Sequence, residues 1–224
     1  LYRINAQSRV FETLFLREGI PYRLVGAVRF YEREEVKDAL AFLRFLLNPK
    51  DEVSFRRIVN KPSRGIGAAT VEAILSHREA ATVGLLEAME AEAAMRKGKA
   101  LENLKGFLSL CYRLLKELET LPLPRFVELV IHESGLEEYH RSQDEIAGSH
   151  KFRNLEELVN ASSGYPKGRP GLAQFLEEIQ LDAARVADVE QTREKPLVTL
   201  ITMHNTKGLE FDRVIVLSLI HISE

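Results

Sequence analysis

The chain has a single cysteine, Cys111, among its 224 residues, so an internal disulfide is excluded. Cys111 lies in an apolar helical run, where a buried reduced thiol is expected, and a cytoplasmic location follows most simply. No apolar run reaches the roughly 18 residues that a membrane span needs, and no charged-then-apolar secretion signal opens the chain, so no membrane partner is expected. Basic excess is absent too: 31 Lys and Arg stand against 33 Asp and Glu, a formal charge of −2. Any contact with nucleic acid must then come from local patches rather than from the net field. The pattern G-x-x-x-x-G-K-[ST] occurs nowhere, which removes the cradle for β- and γ-phosphates and its magnesium ligand. On its own the chain should not hydrolyse ATP. His132-Glu133 begins like H-E-x-x-H, but Leu136 stands where the second histidine is required, so a zinc-protease site and any other histidine metal site are not expected. No Ser, His and acid set has support from spacing either.

What is present is a globular composition, 45% hydrophobic, enough for one large core or two small ones. The chain is organised around His204-Asn205-Thr206-Lys207-Gly208-Leu209-Glu210-Phe211. This polar stretch lies between an alternating apolar run, Leu197 to Met203, and a β-branched run, Arg213 to Leu217, and reads as a loop between two strands. Ligands of open α/β sheets sit outside the carboxyl ends of strands. Gly208 allows close approach of backbone, Lys207 can face an anion, and Glu210 can accept from ribose hydroxyls. The same residues also suit an ordinary strand-turn-strand with solvated charges.

Leu1 to Ile4 reads as a strand end, and Asn5 as the N-cap of a helix from Ala6 to Arg17 with Val10, Phe11, Leu14 and Phe15 as its apolar stripe. A short strand, Ile20 to Val25, is closed by Gly26. Helices are expected over Glu32 to Leu47 and Asp51 to Val59, and nearly all of residues 69–186 should be helical, with breaks near Gly84, Gly98, Pro122 and Gly135. Leu104, Leu108, Tyr112 and Leu115 form the stripe of a helix from Leu101 to Leu118, and further helices are expected over Arg125 to Ser134, Phe152 to Ala161 and Gly171 to Val186. Glu137 to Lys151 reads as an exposed loop, Ser162 to Pro170 as a linker and Ala187 to Lys195 as a mobile connector. After the helix Asp51 to Val59, Asn60 to Gly67 forms a tight turn built like a helix-hairpin-helix phosphate clamp and leads into a helix from Ala69 to Arg78. Gly65 and Gly67 flank Ile66 and let backbone N–H groups near a phosphate, while Lys61 and Arg64 add charge. A purely structural turn fits the same spacing.

The run His204 to Phe211 resembles motif V of the superfamily 1A DNA helicases, the UvrD/PcrA/Rep family. Tyr2-Arg3-Ile4-Asn5-Ala6-Gln7-Ser8-Arg9, Phe30 to Leu40 and Pro62-Ser63-Arg64-Gly65-Ile66-Gly67 are similar to further segments of that family, in its order. The resemblance implies an α/β, predominantly helical fold: an incomplete RecA-like sheet domain, called 2A, in residues 1–26 and 197–217, with an all-helical domain, 2B, inserted at 27–196. Residues 218–224 match nothing expected and are unassigned. The implied whole is an ATP-dependent 3′-to-5′ DNA helicase acting in repair or replication with ATP and Mg2+, of which this chain is an internal fragment. By resemblance Glu210, Lys207 and Gly208 serve the nucleotide, and Arg3, Asn5 and His204 contact single-stranded DNA. Lys61, Arg64, Gly65, Ile66 and Gly67 face duplex at a single-strand/duplex junction, and 2B can receive repair proteins. Without the resemblance, Asn5 caps its helix and Arg3 is a surface charge. A non-catalytic DNA-binding or protein-interaction module, and the helicase part of an exonuclease-coupled subunit, are the alternatives.

Overall fold

The computed structural model describes residues 1–3, 7–147, 149–191 and 197–217, so Asn5 and the unassigned tail lie outside the described residues. The described residues are mostly helical, with ten α-helices and one two-stranded parallel sheet. They form two compact units, residues 1–33 with 177–224, and residues 34–176.

In the first unit, β1 (Tyr22–Val25) runs parallel to β2 (Val198–Ile201), with Tyr22 opposite Val198 and Val25 opposite Ile201. On the other side of β2, Tyr2 donates its N–H to the Ile201 carbonyl and accepts from Met203, a single parallel bridge. The helix α1 (Ser8–Arg17) lays Phe11 and Phe15 against the small core of Tyr2, Tyr22 and Leu200. Phe15 and Tyr22 stack at 5.8 Å between ring centroids. Val10 and Leu14, expected in the same stripe, are exposed at 53% and 38%, because the narrow sheet covers only the phenylalanine edge of the helix. The expected strand over Arg213 to Leu217 does not form a ladder. Among the described residues it pairs through Leu1, whose amino group donates to the Ile215 carbonyl and whose carbonyl accepts from Leu217. Val214, Ile215 and Val216 remain exposed, so the β-branched pattern finds no described surface to pack on. A 3-10 turn at Phe30–Glu32 closes the unit, with Phe30 buried and its N–H held by Glu12.

The second unit is a helical assembly around α2 (Glu34–Leu47). This helix buries Val36, Ala39, Leu40, Phe42, Leu43, Phe45 and Leu46 and, with them, the carboxylates Glu35 and Asp38, because neighbouring helices surround it. It packs on α3 (Glu52–Ile58), α6 (Gly98–Leu118), α7 (Leu123–Glu133), α8 (Leu136–Ala147) and α9 (Lys151–Ala161). Asp51 caps α3 by accepting the Ser54 N–H. α4 (Ala68–Ala81) and α5 (Leu85–Met95) pack on each other, and α5 on α6. The stripe of α6 is Leu104, Phe107, Leu108, Cys111, Leu114 and Leu118. Tyr112, assigned to it from the sequence, is 44% exposed and donates its hydroxyl to Glu90, since the 3.6-residue period carries the stripe to Cys111 instead. Burial pushes the Cys111 thiol up to about 12, which keeps it inert.

Residues 137–147, expected in a loop, belong to α8. Its polar surface disguises a helix that buries only one edge, Leu136 and His140, after Gly135 at φ +80 turns the chain out of α7. Glu137 holds Arg141 one turn on. α10 (Gly168–Gln191) starts inside the expected linker, because Pro170 is tolerated in a first helical turn, and it takes in residues 187–191 of the expected connector.

Leu43 is fully buried, so Leu43→Ala should cost about 2–5 kcal/mol in urea unfolding. Val53→Ala, at a position 81% exposed, should stay within about 0.5 kcal/mol of the parent.

Candidate nucleic-acid interface

Parallel pairing brings the carboxyl ends of β1, β2 and the Tyr2 bridge to one edge of the first unit. Arg3, Gly26 and the Met203–Thr206 3-10 turn leave the sheet there. The loop is held by its own backbone: Asn205 N–H donates to the Thr202 carbonyl, Thr206 Oγ1 to Met203, and Leu209 N–H to Thr206. Asn205 Nδ2 also reaches the Gly26 carbonyl at 3.5 Å. Gly26 has φ +70, a left-handed conformation that favours glycine, and its missing Cβ leaves room for the Asn205 amide. Gly208, at φ +83, turns the backbone a second time with open space around it.

His204, Lys207 and Glu210 are exposed, and none has an ion pair among the described residues. Arg3 is exposed as well, with its backbone N–H on Gln7 Oε1. The structure therefore brings Arg3 and His204 to one sheet edge, with Lys207, Gly208 and Glu210 further along the same loop. Among the described residues no group of three or more His, Cys, Asp or Glu side chains converges as metal ligands would.

The Asn60-to-Gly67 turn lies in the second unit. Asn60 Oδ1 accepts the N–H groups of Arg64 and Ile66, at 2.7 and 3.2 Å, and Ile66 is buried as the anchor. Gly65, at φ +69, accepts at its carbonyl from Asn103 Nδ2 of α6 at 3.3 Å. Gly67 is exposed and N-caps α4 without a side chain.

Arg64 and Lys61 do not supply free charge to this turn. The Arg64 guanidinium points inward and donates to the carbonyls of Ile58, Pro62 and Ser134. It also lies over the rings of Phe42 and Phe107, at 5.5 and 5.3 Å. Burial lowers it to about 10. Lys61 Nζ sits 2.7 Å from both Glu34 and Asp38, and 5.8 Å from the centre of the Tyr139 ring. Burial pushes the Asp38 carboxyl up, but His140, Lys61 and Arg57 together outweigh it and hold the group below its ordinary value. Lys151 and Lys61 bring Glu34 down to about 2. Spacing alone placed these cations beside the turn but could not give their direction. Ser134, His140 and Asn103, distant in sequence and without any motif, carried no signal of their part in it.

The chain belongs to the UvrD-like helicase C-terminal domain family, which matches residues 1–221. It is 34% identical over 220 residues to the ATP-dependent DNA helicase PcrA of Staphylococcus aureus strain Mu50. The PcrA of Staphylococcus epidermidis strain ATCC 12228 is equally similar, at 34%. Each alignment covers 98% of this chain and 30% of the relative, so the chain spans less than a third of the length of these helicases.

Arg64→Ala removes the side-chain donor from three carbonyls, of which Ile58 keeps the Lys61 N–H, and leaves a gap between two rings; it should cost about 2–4 kcal/mol in denaturant unfolding. Arg64→Lys should recover less than half of that, because an ammonium cannot reproduce the fork. Glu34 is depressed in the folded chain, so its contribution is complete above about pH 4.5 and fades as pH falls toward 2. With 49% of the side chain exposed, screening keeps the effect small. In acid titrations of unfolding free energy, the gap between parent and Glu34→Gln should close over that window.

Proposed function

We propose that the chain is the DNA-contacting portion of an ATP-dependent DNA helicase that moves 3′ to 5′ along single-stranded DNA and opens duplex in repair or replication. The observation that carries this is the family match over residues 1–221, together with the meeting of Arg3, His204 and the Lys207-to-Glu210 loop at one sheet edge. Residues 1–26 and 197–217 are assigned to RecA-like domain 2A and residues 27–196 to the inserted helical domain 2B. The Arg3 guanidinium forks onto a phosphate of the single strand, and the His204 ring meets the same strand beside it. Asn5 joins them on the ground of resemblance alone.

Glu210 has a carboxylate free to accept from a nucleotide ribose, Gly208 leaves the backbone open beside it, and Lys207 faces the anion. These residues fit the sugar side of ATP and supply nothing for its terminal phosphates or Mg2+. ATP hydrolysis provides the driving free energy in the intact enzyme. One short loop serving nucleotide and DNA is what coupling requires, since nucleotide state can bias DNA contacts only through a shared element. In 2B, the exposed backbone of the Gly65-Ile66-Gly67 turn faces duplex, with Arg64 and Lys61 bracing it from inside. Repair proteins dock on the same domain.

Binding of the 224-residue chain to a fluorescent single-strand/duplex junction over a salt series tests this. Arg3→Ala and His204→Ala should each weaken binding several-fold without moving the melting temperature. Gly67→Asp puts a carboxylate where no atom lies within 4 Å, at a helix N-cap that favours Asp. It should leave the fold as stable or more so while abolishing the duplex contribution. A folded chain that shows no salt-dependent binding at low salt would refute the proposal.

A further inference from the structure

We infer that the groove between α7 and α9 is the docking site for a short basic, amphipathic segment of a partner protein. The inference gives a place and a chemistry to the protein docking proposed above, and so rests on that reading. The groove encloses about 470 Å3 within the second unit. On α9, Phe152, Leu155, Glu156 and Val159 recur at three- and four-residue intervals and share one face, and Glu128 and Ile131 do the same on α7. Leu155 and Ile131 are buried in its walls, while Phe152 and Val159 are half-buried along it. Arg141 of α8 lies over the Phe152 ring at 3.8 Å and is held by Glu137, which steadies that wall. Glu137 and Glu157 complete a lining in which four apolar side chains meet four carboxylates.

Charge selects the occupant. Arg141 holds Glu137 at 2.9 Å, with His132 Nδ1 3.0 Å from the same carboxylate, and Glu157 accepts from Asn160. Glu128 is paired with Arg125 one turn before it, but the two side chains are 55% and 73% exposed. Such a surface pair contributes little, so a partner's cation can take the place of Arg125. Glu156 is exposed and has no ion pair among the described residues. No Lys or Arg lines the groove among the described residues. A phosphate backbone would meet carboxylates and be repelled, which separates this surface from the glycine turn. An amphipathic segment instead lays its apolar side chains on Phe152 and Val159 and sets its Lys or Arg against Glu128 on one wall and Glu156 on the other.

The test measures fluorescence anisotropy of a labelled peptide of three Arg-Lys-Leu-Leu repeats against the 224-residue chain over about 50–200 mM salt, beside junction binding and melting of every variant. Peptide binding should weaken as salt rises, and a peptide with serine for each leucine should bind at least about tenfold more weakly. Glu156→Gln should weaken the leucine peptide about two- to fivefold, and Glu156→Lys or Glu128→Lys about tenfold. Melting and junction binding should stay parental in Glu156→Gln. Glu79→Lys, the same reversal at an exposed position of α4 outside the groove, should keep the parental affinity for peptide. Parental affinity in both Glu156→Lys and Glu128→Lys, equal binding of the two peptides, or no binding by the folded parent would overturn the docking site and leave the DNA-contacting reading standing. A dimer in sedimentation that Glu156→Lys disperses would assign the groove to a second copy and overturn the partner. Peptide binding by a chain without salt-dependent junction binding would overturn the DNA-contacting reading and leave the groove.

Discussion

The second unit depends on a cation turned inward. Arg64 sits between Phe42 of α2 and Phe107 of α6, and its guanidinium satisfies carbonyls at the end of α3, within the turn and at the end of α7. A buried carbonyl left without a donor would cost on the order of 1–3 kcal/mol, and by donating to all three this one side chain ties three chain segments together, the Ile58 carbonyl sharing its acceptance with the Lys61 N–H. A guanidinium can do this where an ammonium cannot, because its planar fork aims several donors while its faces rest on aromatic rings. The turn that this strut supports keeps its own outward surface almost bare of side chains, with Gly65 and Gly67 exposed and only Ile66 anchored.

Around it lies a polar network that a helical core does not need for stability. Asp38 is 2% exposed at its side chain and faces Arg57, Lys61 and His140, while Glu34 joins Lys61 to Lys151. Buried ion pairs seldom stabilise more than apolar packing of equal volume would, and their attested use is to fix register. Here they fix where α3, α8 and α9 stand against α2, and so the direction from which the turn is presented.

Much of this was legible in the sequence, and what was not had a common cause. The helices of the second unit follow from apolar period and from breaks at Gly84, Gly98, Pro122 and Gly135. In the first unit β1 follows from the break at Gly26 and β2 from the alternation before Thr202, whereas the strand end expected at Leu1 to Ile4 gives a single bridge at Tyr2 among the described residues. Polarity misled at α8, whose buried side chains among the described residues are Leu136 and His140, the second of them a polar residue. β-branched residues misled at Val214 to Val216, because strand propensity describes fit to a sheet surface and no such surface meets them here. For the candidate sites, spacing located the turn and the loop correctly in the chain, yet it could not reveal that Arg64 and Lys61 face inward. Side-chain direction is a property of the partners, and Ser134 and Asp38 are far away in sequence.

The same contrast separates the two candidate surfaces. At the sheet edge the side chains of Arg3, His204, Lys207 and Glu210 are exposed while the backbone is pinned, with Gly26 and Asn205 in contact and Thr206 closing the loop on Met203. His204, Lys207 and Glu210 share that loop, while Arg3 reaches the same edge from the Tyr2 bridge. At the glycine turn the arrangement is the reverse: the Arg64 and Lys61 side chains are withdrawn to inward partners, and the backbone at Gly65 and Gly67 is exposed.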